Sequence, residues 1–297
     1  MKEMLSFILC IAVNIFSFAQ MPKPTSGKII RHENFHSAFV DARNIDVWLP
    51  DNYSSQKKYA VLYMHDGQML FDSTVTWNKQ EWLVDETMSS LIAQHKIKDC
   101  IVVGISSIGN KRHAEYFPQK ALDYLKAEEK KELFPLLNNK PLADLYLQFL
   151  ATELKPFIDS TYSTYKDQQH TFIAGSSMGG LISMYAICEY PKIFNGAACL
   201  STHWTGIFKS NNPIPAALNN YLKEHLPSPK NHKIYFDYGD KTLDSLYKPF
   251  QEEVDKTMKA KGYTSKNWIT KYFPGENHSE RAWQKRFYIP VEFLMKK

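Results

Sequence analysis

Cysteine is scarce, with four residues in a chain of 297. Cys10 falls in an N-terminal apolar stretch, which leaves Cys100, Cys188 and Cys199. The number is odd, and Cys100 and Cys199 sit in apolar strand-like runs, so buried free thiols are expected rather than a disulfide framework. No cysteine–histidine spacing suits zinc, and no motif calls for a metal or a cofactor. The formal net charge of +5 is small and dispersed. With no long block of one sign and no basic–aromatic pattern, nucleic acid is not an expected partner. Gly/Ser-rich linkers and internal repeats are also missing. No apolar run reaches the ~20 residues that a membrane span needs. Leu5 to Phe18 comes nearest; it follows Lys2 and gives way to Gln20 and Pro22-Lys23-Pro24. With Ser17-Phe18-Ala19 as a small-x-small cleavage site, residues 1–19 read as a secretory signal; the alternative is an uncleaved anchor. The expectation is a secreted or periplasmic protein without a membrane span after cleavage, forming one domain over residues 20–297.

What is present is an alternation of short apolar runs with longer amphipathic ones. That pattern predicts an α/β fold with a mainly parallel sheet flanked by helices. Strands are expected at 60–64, 101–105, 171–174, 197–200, 234–236 and 268–270, after a two-stranded entry between about 28 and 49. Helices are expected over 141–162, from 181 to 189 before Pro191, over 243–261 and over 279–296. Residues 107–140 are polar and irregular, and read as a short lid excursion over the sheet.

Phe172-Ile173-Ala174-Gly175-Ser176-Ser177-Met178-Gly179-Gly180 places a Gly-x-Ser-x-Gly turn between a strand and a helix. A serine on such a turn projects its hydroxyl above the sheet, and the glycines let the backbone pass without a Cβ clash. Ser177 is therefore the candidate nucleophile. It needs a base, usually a histidine oriented by a carboxylate, and in this architecture the chain order is serine, acid, histidine. Of the later histidines, His278 alone follows a late strand and leaves an acidic strand-ending loop upstream. Asp237 is expected within its strand and turned away. Asp244 is preferred as the acid, with Asp240 as the alternative. The N–H groups of Met178 and Gln68 are the candidate oxyanion donors. His65 and Asp66 are expected to hold their own loop in shape.

These residues resemble the Putative esterase family of α/β-hydrolases, which includes esterase D, feruloyl and acetyl-xylan esterases and enterochelin-type siderophore esterases. The resemblance rests on Leu62-Tyr63-Met64-His65-Asp66-Gly67-Gln68, on Arg112 to Pro118, on Glu153 to Asp159, on Gly175 to Gly180, and on Gly275 to His278 with Trp283. It implies a serine hydrolase acting on carboxylic esters, with Ser177 and His278 in the matching positions. One departure stands out, since many members carry the acid where this chain has Thr242. The substrates implied are acylated or feruloylated carbohydrates or siderophore-type esters. Arg112, Tyr116, His203 and Trp204 are expected to contact the substrate, His203 as a pocket wall, and Trp77, Trp82 and Phe117 could stack at the mouth. Arg112 is read either as an anion binder or as the partner of Glu115 or a backbone carbonyl. An acyltransferase on the same scaffold and a catalytically silent carbohydrate-binding homologue remain alternatives. Oligomeric state is not legible.

Overall fold

The computed structural model describes residues 20–297; the expected 1–19 signal lies outside them. Eight strands form one sheet: β1 (Lys28–Phe35), β2 (Arg43–Leu49), β3 (Ala60–His65), β4 (Cys100–Ile105), β5 (Thr171–Ser176), β6 (Gly196–Leu200), β7 (Lys233–Tyr238) and β8 (Trp268–Tyr272). Their order is β1-β2-β4-β3-β5-β6-β7-β8. β2 runs antiparallel to β1 and β4, and the remaining neighbours are parallel. The sheet is mostly parallel because its strands after β2 are joined by crossovers that carry helices.

The central strands β3, β4 and β5 are buried at every position and mostly apolar because both faces are covered. Alternate residues feed two separate cores. Val61, Tyr63, Ile101, Val103 and Ile173 pack under the helices Met178–Glu189, Pro213–His225 and Lys248–Ala260. Leu62, Met64, Val102, Phe172 and Ala174 pack under Val84–Ala93 and Tyr288–Met295. Cys100, Cys188 and Cys199 are buried free thiols, as their apolar surroundings predict. Among the described residues no helix is long and apolar enough to cross a membrane.

Three departures from the sequence reading have local causes. The expected 141–162 helix is Ala143–Phe149 and Lys155–Thr161 joined by a π-helical turn, Leu150–Leu154. Pro156, without an N–H, stands at the start of the last segment. Val84–Ala93 and Pro213–His225 were not expected as helices. Finally, the 107–140 segment is not a loose polar cover. It folds into short helical turns, and Tyr116, Phe117, Leu122, Leu125, Leu133 and Leu137 belong to the main core.

Candidate active site

The serine turn follows from three close approaches. Ser177 stands between β5 and the Met178–Glu189 helix with φ 58° and ψ −121°, a conformation that costs a non-glycine residue about 1–3 kcal/mol. Neighbouring backbone holds it there. Its N–H donates to Leu200 O at 2.9 Å, and its carbonyl accepts from the N–H groups of Gly180, Leu181 and His203 at 3.0–3.2 Å. A Cβ on Gly175 would come within 2.8 Å of the Gly179 backbone, so only glycine lets strand and helix cross at this angle. The Ser177 side chain ends at the bottom of a cavity of about 560 Å³, which His278 also lines.

The structure brings His278 against Asp244, with Nδ1 to Oδ1 at 2.6 Å and the carboxylate fully buried. Asp244 Oδ2 accepts from Gly239 N–H at 2.7 Å and from the Ser201 hydroxyl at 2.6 Å. Ser201 Oγ in turn accepts from Trp283 Nε1 and Arg286 Nη2, both at 2.9 Å. Three hydrogen bonds therefore fix the carboxylate, and the single proton of the Ser201 hydroxyl is committed to it. Thr242 does not replace the acid; its hydroxyl accepts the His278 N–H at 2.9 Å. The loop after β7 is sewn to the loop after β8, since Asp240 and Lys241 both donate to Glu276 O at 3.1 Å. Asp240 is ruled out as the partner of His278. Its carboxylate faces outward and accepts from Tyr272 Oη and Gly275 N–H, so the alternative acid is corrected.

The loop after β3 lies against the N-terminus of the serine helix. Asp66 takes a left-handed conformation, φ 56°, and a Cβ on Gly67 would strike Gly104 and Ile105 backbone at 2.5–2.6 Å. A Cβ on Gly179 would touch Asp66 Oδ2 and His65 Cβ at 3.4 Å. This contact brings the loop of Gln68 against the helix that begins at Met178, the two residues whose amides are the candidate oxyanion donors. Among the described residues neither amide has a hydrogen-bond acceptor, although the Gln68 side chain is fixed to Ser107. His65 and Asp66 do not hold their own loop, contrary to expectation. His65 Nδ1 meets Tyr146 Oη at 2.9 Å, and Asp66 takes Arg112 in a two-pronged pair at 2.6 and 2.7 Å. Burial opposes ionisation of Asp66, but the guanidinium prevails and holds its carboxyl below the usual range. Glu115, the other expected partner of Arg112, is buried on Arg43 instead.

Of the four residues expected at the substrate, one lines the cavity and three lie elsewhere. Arg112 lines the cavity. Tyr116 is fully buried beneath it, its ring centroid 5.2 Å from the Arg112 guanidinium carbon, and is a support rather than a contact. Trp204 is buried with Nε1 on Gln251 Oε1, and Phe117 is in the core. His203 is buried behind the serine, not in the wall, with Nδ1 at 2.7 Å from Tyr247 Oη. Burial pushes its pKa well down, so its ring is neutral. Trp77 and Trp82 do line the cavity, Trp77 being 83 % exposed at the rim.

The sequence reading gave no role to Tyr247, Arg286 and Glu280, and none in holding the acid to Ser201. Tyr247 is buried and touches His203; burial pushes its phenol well up, and hydrogen bonding with Ser177 works the other way. Ser201 follows the end of β6 with φ 42°; a polar residue at a strand end facing the acid loop was its available signal. Glu280 lies two residues past His278. Among the described residues no group of three or more histidine, cysteine, aspartate or glutamate side chains could hold a metal ion.

Comparison with known proteins gives consistent matches. The family described as Putative esterase matches residues 37–293. A Bacillus subtilis (strain 168) protein, YbbA, is 23 % identical over 259 residues, covering 85 % of this chain and 92 % of its own. Among solved structures, a ferulic acid esterase superimposes with a TM-score of 0.66 at 21 % identity, over 90 % of this chain and 97 % of its own. An IroE-like serine hydrolase from Shewanella oneidensis gives 0.67 at 20 % identity, over 90 % and 80 %. At these identities the structural matches speak for the fold.

Proposed function

The chain belongs to the Putative esterase family, and from that premise we propose that it hydrolyses carboxylic esters through an acyl-enzyme on Ser177. The observation that carries this reading is the shared cavity. A strained serine at a helix N-terminus and a histidine held by a buried aspartate at 2.6 Å open onto the same space.

The chemistry follows from the atoms in place. Ser177 Oγ attacks the ester carbonyl carbon while its proton passes to His278 Nε2. Asp244 keeps the other ring proton on Nδ1 and stabilises the imidazolium that forms. The carbonyl oxygen becomes an oxyanion and accepts from the amides of Met178 and Gln68, which give up no other bond to do so. The carbon–oxygen bond to the alcohol then breaks, and the leaving oxygen takes the proton from His278. Water enters, gives a proton to His278 and bonds to the acyl carbon. Ser177 leaves with the proton returned, releasing the acid.

The substrate class proposed is an acylated or feruloylated carbohydrate or a siderophore-type ester, supported by the ferulic acid esterase match and by the family resemblance. Export is part of the reading and rests on the leader pattern at residues 1–19. Ser177→Ala is expected to abolish hydrolysis of 4-nitrophenyl acetate and labelling by a fluorophosphonate probe, with the circular dichroism spectrum unchanged. Hydrolysis retained by that variant refutes the mechanism, and an exported chain whose mass still includes residues 1–19 refutes the cleaved leader.

A further inference from the structure

The charges facing the cavity carry one step more, which rests on the ester-hydrolase reading. The ionisable side chains that line it are Asp66, Arg112, His278 and Glu280. Arg112 is the one guanidinium among them, and it is already spent. Nε and Nη2 both bind Asp66, at 2.6 and 2.7 Å, and the Tyr116 ring lies under its plane. A substrate carboxylate could take that fork only by displacing Asp66, whose charge already balances the guanidinium.

Apart from His278, two carboxylates face one guanidinium, an excess of one negative charge. Glu280 supplies it. Its side chain is half-buried, and Oε2 is held by Asn78 Nδ2 at 2.8 Å, which fixes the charge toward the cleft. Two cations close to it in sequence stand outside the cavity. Arg281 and Lys285 line a separate outer pocket, Lys285 is paired with Glu276, and both are exposed to solvent, where salt screens them. The rest of the wall is uncharged, with amides and hydroxyls such as Gln68, Gln80 and Ser279 beside the aromatic rings of Trp77 and Phe208.

We propose that this site selects esters whose groups inside the cavity carry no negative charge, and that Glu280 is the residue that turns anionic esters away. Within the substrate classes above, neutral hydroxyl-rich esters fit and multiply anionic ones do not. A fixed charge a few ångströms from a substrate carboxylate in a half-dry cleft discriminates on the order of ten-fold.

The test uses two matched pairs of esters. One is 4-nitrophenyl hexanedioate as the free acid and as its methyl ester; the other is 5-acetoxy-2-nitrobenzoate and its methyl ester. Wild-type protein is expected to favour the methyl ester by roughly ten-fold in kcat/KM in at least one pair. Glu280→Gln, which can keep the Asn78 hydrogen bond, is expected to bring that ratio near one by raising kcat/KM on the anion alone. Glu280→Lys is expected to invert it. Equal wild-type rates within both pairs overturn the inference. So does a ratio unchanged in both variants while the methyl esters are still hydrolysed. If wild-type protein hydrolyses none of the four esters, the hydrolase reading falls and this inference falls with it.

Discussion

Asp244→Asn is the sharpest perturbation available, because the hydrogen-bond network dictates which way the new amide must turn. Ser201 Oγ accepts from Trp283 and Arg286, so its own proton can go only to Oδ2 of residue 244. Gly239 N–H is aimed at the same oxygen. Two donors converging there demand that asparagine present its carbonyl to them. Its NH₂ group is then forced toward His278 Nδ1. An imidazole that accepts at Nδ1 must carry its proton on Nε2, and that nitrogen can no longer take the proton of Ser177. The expected loss is about 10⁴-fold in kcat, or about 5 kcal/mol of transition-state stabilisation. The assay is steady-state hydrolysis of a 4-nitrophenyl ester between pH 6 and 9, with Asp240→Asn as the control expected to stay within about two-fold of wild type. A loss under about ten-fold for Asp244→Asn, or an equal loss for Asp240→Asn, would refute the reasoning.

Two more outcomes are expected. Stability should fall on acidification below pH 6.5. Burial pushes the pKa of His65 down to about 3 and that of His203 well down, so the unfolded chain, with histidines near 6.5, binds protons that the fold does not. These two alone give a limiting slope of about 2.7 kcal/mol per pH unit, full stability being kept above 6.5. Asp85, raised by burial to about 6, takes up a proton in the fold first and offsets up to about half of that slope. Urea midpoints at pH 7.5 and 5.5 check it, and an equal or higher midpoint at 5.5 contradicts the neutral histidines. Gly239→Ala would place a Cβ 2.2 Å from Glu276 O and part the loops that carry Asp244 and His278. A fall in kcat of about 100-fold with a stability loss of about 2 kcal/mol is expected, and wild-type kcat would show that the loops tolerate the separation.

The strands and the serine turn were legible because local pattern determines them. Runs such as 60–64 and Cys100–Ile105 are apolar throughout, and Gly175 and Gly179 stand where a crossing backbone needs them. The geometry now places Asp244, not Asp240, at His278, a choice that local pattern alone left open. What escaped was whatever depends on neighbours remote in sequence. Arg112 finds its partner 46 residues away and Arg43 finds Glu115 72 away. Composition around 107–140 reads as polar, yet its apolar residues all turn to one side and join the core. His203 and Trp204 follow a strand end, as wall residues do, but the chain turns them inward onto Tyr247 and Gln251. The helix Pro213–His225 did carry a readable signal in Ile214, Ala217, Leu218, Tyr221 and Leu222. The prolines that follow it drew attention to a connection instead.

The strand order has a consequence for how such a chain is made. β3, which ends in the loop holding Gln68, lies between β4 and β5, so one edge of it stays open during synthesis until β5 leaves the ribosome. From β5 onward each new strand adds at the growing edge in the order it is translated. The final helices then return to place Trp283 and Arg286 on Ser201, 82 and 85 residues upstream. Contacts of that separation form late in folding. The Ser201 hydroxyl that donates to the carboxylate behind His278 gets its own donors from the final turns of the chain, so a nascent polypeptide carries the serine long before it can use it.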